Sequence, residues 1–205
     1  MRRFARGQRA AAPVAVEDGP RPLRGVRFDL AEQAGRLRQL TPLVRGFLAP
    51  EGFHLWNGQY ESVDAEVLWA IVQGLKPKRA LVAGAPPMAR KVLAAALPKN
   101  AVRTEDPVAL TARDVVVAGT PDADLVLDLL PQLAPGVVIH FHPIRMPLRG
   151  GAGQDLLQAF LCGNRHFEVL LAHHALSREH PEIVRQSVPS WRGSSEPGAL
   201  WLRRS

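Results

Sequence analysis

Leu68, Ile71, Val72 and Leu75 recur at the three- and four-residue spacing of one helix face, and Pro77 stops that pattern just ahead of a short unbroken apolar run, 80–83. The same sequel, a helical stripe and then a compact strand, repeats along the rest of the chain. Asp29 is placed as the N-cap of a first helix running to about residue 40, with Leu30, Ala34, Leu37 and Leu40 as its stripe. The second helix begins near Ser62 or Asp64. After the strand at 80–83 and a turn at Gly84, the pattern predicts a helix over 87–97, a weak strand at 101–103 and a clear one at 115–118. Next come a helix over 122–130, the strongest strand at 137–141, a helix over 154–161 behind a Gly-rich loop at 150–153, and strands at 167–171 and 199–202. Apolar strands separated by helices specify an α/β fold, with a mostly parallel sheet covered on both faces and an antiparallel pair at one edge.

Composition changes this picture little. The 205 residues are 46% hydrophobic, enough for one domain with a substantial core. Cys162, the sole cysteine, excludes an internal disulfide and a Cys-rich zinc site; it reads as a small buried residue on a helix and fits a reducing cytoplasm. No apolar run approaches the ~20 residues of a membrane span. The net charge of +7 is concentrated at the ends, in Arg2, Arg3, Arg6, Arg9, Arg21 and Arg24 and in Arg203 and Arg204. Without an aromatic-plus-basic motif, that excess reads as solvating charge rather than a nucleic-acid surface. Residues 1–26 form a basic, Ala- and Pro-rich arm, loosely attached, and 27–205 the folded domain. Arg2-Arg3-Phe4 is not followed by an apolar stretch, so export by a twin-arginine route is not expected.

The turn after the strand at 80–83 is where a doubly wound sheet receives a cofactor. A working loop there needs several glycines, so that backbone N–H groups approach the ligand, and usually a nearby acid. Here Gly84 stands alone, Pro86 and Pro87 offer no N–H, and Val82 sits where an acid would serve.

Four blocks carry a resemblance. Residues 64–79, from Asp64-Ala65-Glu66-Val67-Leu68 to Leu75-Lys76-Pro77-Lys78-Arg79, then the strand and glycine turn, resemble the entry "LKPkriiEIGSG" of class I S-adenosylmethionine-dependent methyltransferases of the small-molecule branch. Leu133-Ala134-Pro135-Gly136-Val137-Val138-Ile139-His140-Phe141-His142-Pro143-Ile144 is similar to "LkpGvlvHfHDI". Residues 156–161 with 167–170 resemble "yLLQAFL…FEVL", and 198–202 the closing "GsLWL". The blocks span most of residues 28–204 in the family's order. The resemblance implies a Rossmann-like methyltransferase sheet, shortened because little chain separates Pro107 from Asp114, where the family inserts a further helix and strand.

By that resemblance, the cofactor-binding residues are Gly84 and Asp106, the latter placed for the ribose hydroxyls ahead of Pro107, and the catalytic residue is His142 as a base. The departures fall on acids. The family's first-motif acid is Val82, the acid after the fourth strand is Gly119, the "HDI" acid is Pro143, and the acid before the 154–161 helix is Gly153. Such carboxylates hold ribose, bind metal or act as bases. The expectation is therefore a degenerate, non-catalytic homologue working as a protein-binding partner or scaffold subunit, with a protein partner or as a homo-oligomer, with no cofactor and S-adenosylmethionine only if it is active. The alternatives are an active methyltransferase on a small molecule and a binding module for another nucleotide or small ligand.

Three further groups of residues stay open. His140 and His142, two apart on a strand, project from one face and offer half a metal site or a base, with plain packing as the alternative; no metal site is expected. His173 and His174 are placed at the start of a loop, out of reach unless the fold brings them over. Phe47, Phe53, Trp56 and Tyr60 in the 46–61 segment are either core packing or an exposed aromatic surface, a lid or an interface.

Overall fold

The computed structural model describes residues 23–147 and 151–205. Helices α1 (Leu30–Val44) and α2 (Ser62–Leu75) lead into strand β1 (Arg79–Ala83) and helix α3 (Pro87–Ala96). Strands β2 (Val102–Thr104), β3 (Val115–Ala118) and β4 (Val138–Phe141) follow, then α5 (Ala152–Gly163), β5 (Phe167–Ala172), α6 (His173–Glu179), α7 (Pro181–Ser187) and β6 (Leu200–Arg204). Between β3 and β4 lies a π-helical segment, Asp124–Leu129, closed by one α turn, α4 (Leu130–Gln132).

The six strands form one sheet in the order β2-β1-β3-β4-β6-β5. β2, β1, β3 and β4 are parallel, and β6 inserts antiparallel between β4 and β5. This is the doubly wound arrangement, with its switch point between β1 and β3 and the expected antiparallel edge. It is also shortened where expected: only a 3₁₀ turn, Pro107–Ala109, bridges β2 and the approach to β3.

Alternate residues of each strand feed two cores. Ala80, Val115, Val117, Val138 and Trp201 pack under α1, α2, α3 and α7, while Leu81, Val116, Ile139, Phe141 and Leu202 pack under α5 and the π-helical segment. Asp114 ties the amino ends of the strands together. Its buried carboxylate accepts the N–H groups of Lys78, Arg79 and Thr111 at 2.8–3.0 Å.

Several expectations need correction. α1 runs four residues past Leu40, through Pro42, because Val44 is buried against α2 and only the last turn loses a donor to the proline. The 122–130 helix is wound largely as a π-helix, ending beside Pro131, which has no N–H and crowds the carbonyl four residues back. α6 and α7 were not foreseen; at seven residues each they are too short to show a period, and they are held by buried Ala175, Leu176 and Val184. His173 and His174 therefore open a helix, not a loop. Cys162 lies on α5 but is exposed. Of the basic arm, residues 1–22 and their arginines lie outside the described residues, as does Gly150 of the Gly-rich loop; Leu23 and Val26, by contrast, pack on the second core. No helix among the described residues is long and apolar enough to cross a membrane.

Candidate functional site

Gly84 and Asp106 follow neighbouring parallel strands, so both stand at the carboxyl end of the sheet, as a cofactor site requires. Gly84 takes a left-handed φ of 65°, which suits glycine and turns the chain sharply after β1. That turn folds back over β3: Gly84 bridges Ala118, and the Gly119 N–H donates to the Ala83 carbonyl at 2.9 Å. A Cβ on Gly119 would fall 2.2 Å from the Gly84 carbonyl oxygen, and one on Gly153 1.8 Å from the Pro121 carbonyl oxygen. Two positions that the resemblance assigns to acids thus lie where backbone meets backbone, with no space for any side chain. Asp106 is exposed, and its carboxylate caps the 3₁₀ turn by accepting the Val108 N–H at 2.9 Å.

His142 stands at the carboxyl end of β4, and here the fold assembles what the sequence left scattered. Asp64, in the first turn of α2, is 3% exposed and accepts four hydrogen bonds. His142 donates through Nε2 at 3.2 Å and His173 through Nδ1 at 2.7 Å, while the Gly198 and Ala199 N–H groups each donate at 2.9 Å. Burial alone would raise the Asp64 carboxyl, but the hydrogen bonds and charges of His142 and His173 outweigh it and hold the group ionised, well below the usual carboxylate range. One carboxylate so joins α2, β4, α6 and the start of β6. His142 Nδ1 and His173 Nε2 are buried without a protein partner among the described residues.

Behind this pair, the Tyr60 hydroxyl donates to His140 Nε2 at 3.0 Å. His140 is fully buried and its pKa is pushed down to about 3, first by desolvation and then by the neighbouring histidines; Asp64 opposes the shift. Burial, helped by Asp64, raises the Tyr60 hydroxyl well above its ordinary value, so the pair is neutral. The His140 and His142 rings lie parallel, 6.4 Å apart, with Trp201 edge-on to His140. Among the described residues no group of three His, Cys, Asp or Glu side chains is arranged to hold a metal ion. His142 and His173 instead turn one nitrogen each onto the same carboxylate.

A cavity of about 600 Å³ opens beside Asp64, bounded by Trp56, the first turn of α2, Arg145 and the 192–197 segment. Trp56 is half exposed and carries the Arg192 guanidinium 4.0 Å above its ring. Of the other aromatics offered as an exposed surface, Tyr60 and Phe53 are buried and Phe47 packs against Phe53 and Trp69; they are core. The residues that sequence reasoning missed are Asp64 as a hub, His173 as a donor to Asp64, and Tyr60 as the donor to His140. The one available signal was an acid on the otherwise apolar face of α2.

No family model matches the chain, and no curated protein matches it. Among solved structures it is similar to the O-methyltransferase TomG from Streptomyces achromogenes, involved in tomaymycin synthesis and solved in complex with SAM, at a TM-score of 0.47 and 14% identity over 88% of this chain and 92% of that one. The class of protein is defined by the strand order itself: a six-stranded, doubly wound α/β sheet with an antiparallel edge.

Proposed function

We propose that this chain is a non-catalytic member of the methyltransferase-like folds and works by binding, as a partner or scaffold subunit. The observation that carries this reading is the closure of the carboxyl end of β1 and β3. Gly84 lies across Gly119, and Pro121 across Gly153, where ribose-binding or metal-binding carboxylates would stand. A cofactor entering there has to displace main chain, and none of the four altered positions returns a charged contact. Losing one charge-assisted hydrogen bond costs ~1.5–3 kcal/mol, so two such losses suffice to erase a micromolar site. His142, 7% exposed, has Nε2 on Asp64 and its unpartnered Nδ1 buried; this supports the same reading, since a base needs its free nitrogen open to a substrate.

Isothermal titration with S-adenosylmethionine and S-adenosylhomocysteine tests it. Binding no tighter than roughly millimolar, about −4 kcal/mol, is expected. Stoichiometric binding at micromolar concentration would overturn it and restore the active-enzyme reading with His142 as base. On the binding side, Leu48 and Trp56 are the exposed apolar side chains of the 46–61 segment, at 70% and 51%. Replacing both with serine should leave the fold intact and abolish assembly seen by light scattering or partner capture from native lysate.

The cavity beside Asp64 favours a second reading, a module for a small polar ligand: its volume falls within the usual range of ligand sites, and Arg145 and Arg192 stand at its wall.

A further inference from the structure

At the opposite end of the sheet, a second cavity of about 520 Å³ lies between α1, α2 and the amino ends of the parallel strands. Its walls are apolar, built from Leu40, Ile71, Leu75, Val138 and Leu170, with Gly74 leaving one side of α2 without a side chain. Three arginines, Arg36, Arg113 and Arg203, also line it. Arg36 and Arg203 share Glu168, and Arg36 also meets Glu32. Arg113, an exposed residue, meets no carboxylate among the described residues; its guanidinium donates to the Leu75 carbonyl at 2.9 Å. Its backbone is held at φ 73°, a left-handed conformation costly for arginine, while its N–H donates to the Gly136 carbonyl at 2.9 Å. The chain thus holds a strained residue whose cation is unneutralised at an apolar hollow.

We propose that this cavity binds a free fatty acid, the tail against Leu40, Ile71 and Leu170 and the carboxylate on Arg113. The chemistry selects that occupant. An apolar wall alone would accept any hydrophobe, but three cations facing two carboxylates leave a net positive charge that favours an acid, and a guanidinium matches a carboxylate bidentately. A second copy pairing through the same face would bring Arg36, Arg113 and Arg203 against arginines of its twin, which disfavours self-association. The volume lies in the ~300–1,000 Å³ range of small-molecule sites. This site stands apart from the carboxyl-end cleft, so the proposal holds or fails independently of the methyl-transfer question.

Titration of the full chain with dodecanoate, below its micelle threshold, should give saturable binding of one molecule per chain. Dodecanol, with the same tail and no charge, should bind at least tenfold more weakly. Arg113→Asn removes the cation but tolerates the left-handed backbone, and should weaken dodecanoate at least tenfold. Gly74→Leu puts a bulky side chain at this wall, where the end of the Leu43 side chain, 3.2 Å from the new Cβ, has to give way, and should weaken dodecanoate likewise, with a melting temperature that shows the fold intact. Absence of saturable binding would overturn the proposal, as would equal binding of alcohol and acid, or an unchanged affinity in both variants. A chain that light scattering finds dimeric, and Gly74→Leu renders monomeric, would make the hollow an interface between copies and overturn it equally.

Discussion

Two regions at the carboxyl end of one sheet have been finished in opposite ways. Across β1 and β3, glycines let main chain close on main chain, and the space that side chains at Gly119 and Gly153 would use is filled by the Gly84 and Pro121 carbonyls. Across β4 and β6, the space is filled by polar side chains, with Asp64 at the centre of four donors. The first closure needs only small residues and costs little electrostatically. The second buries a carboxylate and three imidazoles and is stable only because nearly every polar atom facing Asp64 is paired with it. A closed cleft is therefore tolerant at the level of charge and intolerant of volume, whereas the Asp64 cluster is intolerant of losing any member.

The largest expected effect tests the second half of that contrast. Asp64→Ala strands two backbone N–H groups and two imidazoles in the interior, and should lower unfolding stability by about 3–5 kcal/mol in a urea titration. A loss under about 1 kcal/mol would mean that water reaches the cluster and that the site is more open than its burial shows. Gly119→Ala tests the first half. With the Gly84 carbonyl in the way, the added methyl must push the loop aside, at about 1–3 kcal/mol. An open cleft would accept it with a change below ~0.5 kcal/mol, and that outcome would revive a cofactor site.

A smaller effect is read from pH. Glu66, two residues past Asp64 on α2, is buried, and desolvation raises its pKa from 4.5 to about 7, partly offset by a hydrogen bond from the Ser190 hydroxyl. Because the folded value lies above the unfolded one, its contribution is fully present below pH 4.5 and is lost as pH rises through about 7. That loss should amount to about 3 kcal/mol. Glu66→Gln should flatten the slope between roughly pH 5 and pH 8 in urea midpoints, and an unchanged slope would refute the assignment. His140 works in the opposite sense: its depressed value makes stability fall as pH drops from 6.5 toward about 3, in wild type and variant alike.

Strand positions, the parallel-then-antiparallel order and the shortening before Asp114 were legible because each strand is a continuous apolar run and each long helix shows its period. The edges of that legibility are physical. α6 and α7 exist through burial of Leu176 and Val184 rather than through propensity, and Pro42 is tolerated because Val44 has a place to pack. Cys162 was misjudged because its place on α5 does not say which face of the helix is covered.

His140 and His142 could be placed on one strand face from spacing alone, and Gly84 and Asp106 at one end of the sheet from the order of strands. What spacing could not supply was their company. Asp64 and His173 are 109 positions apart, and Asp64 and Ala199 135 apart, so their meeting depends on how α2 and α6 dock against β4 and β6. Local sequence determines which residues can form a helix or strand and which atoms can donate or accept. Only the tertiary structure decides which of those atoms are shut away from water together: the two imidazoles brought to Asp64 keep it ionised, burial keeps His140 neutral, and the Gly84 carbonyl leaves Gly119 no room for a side chain.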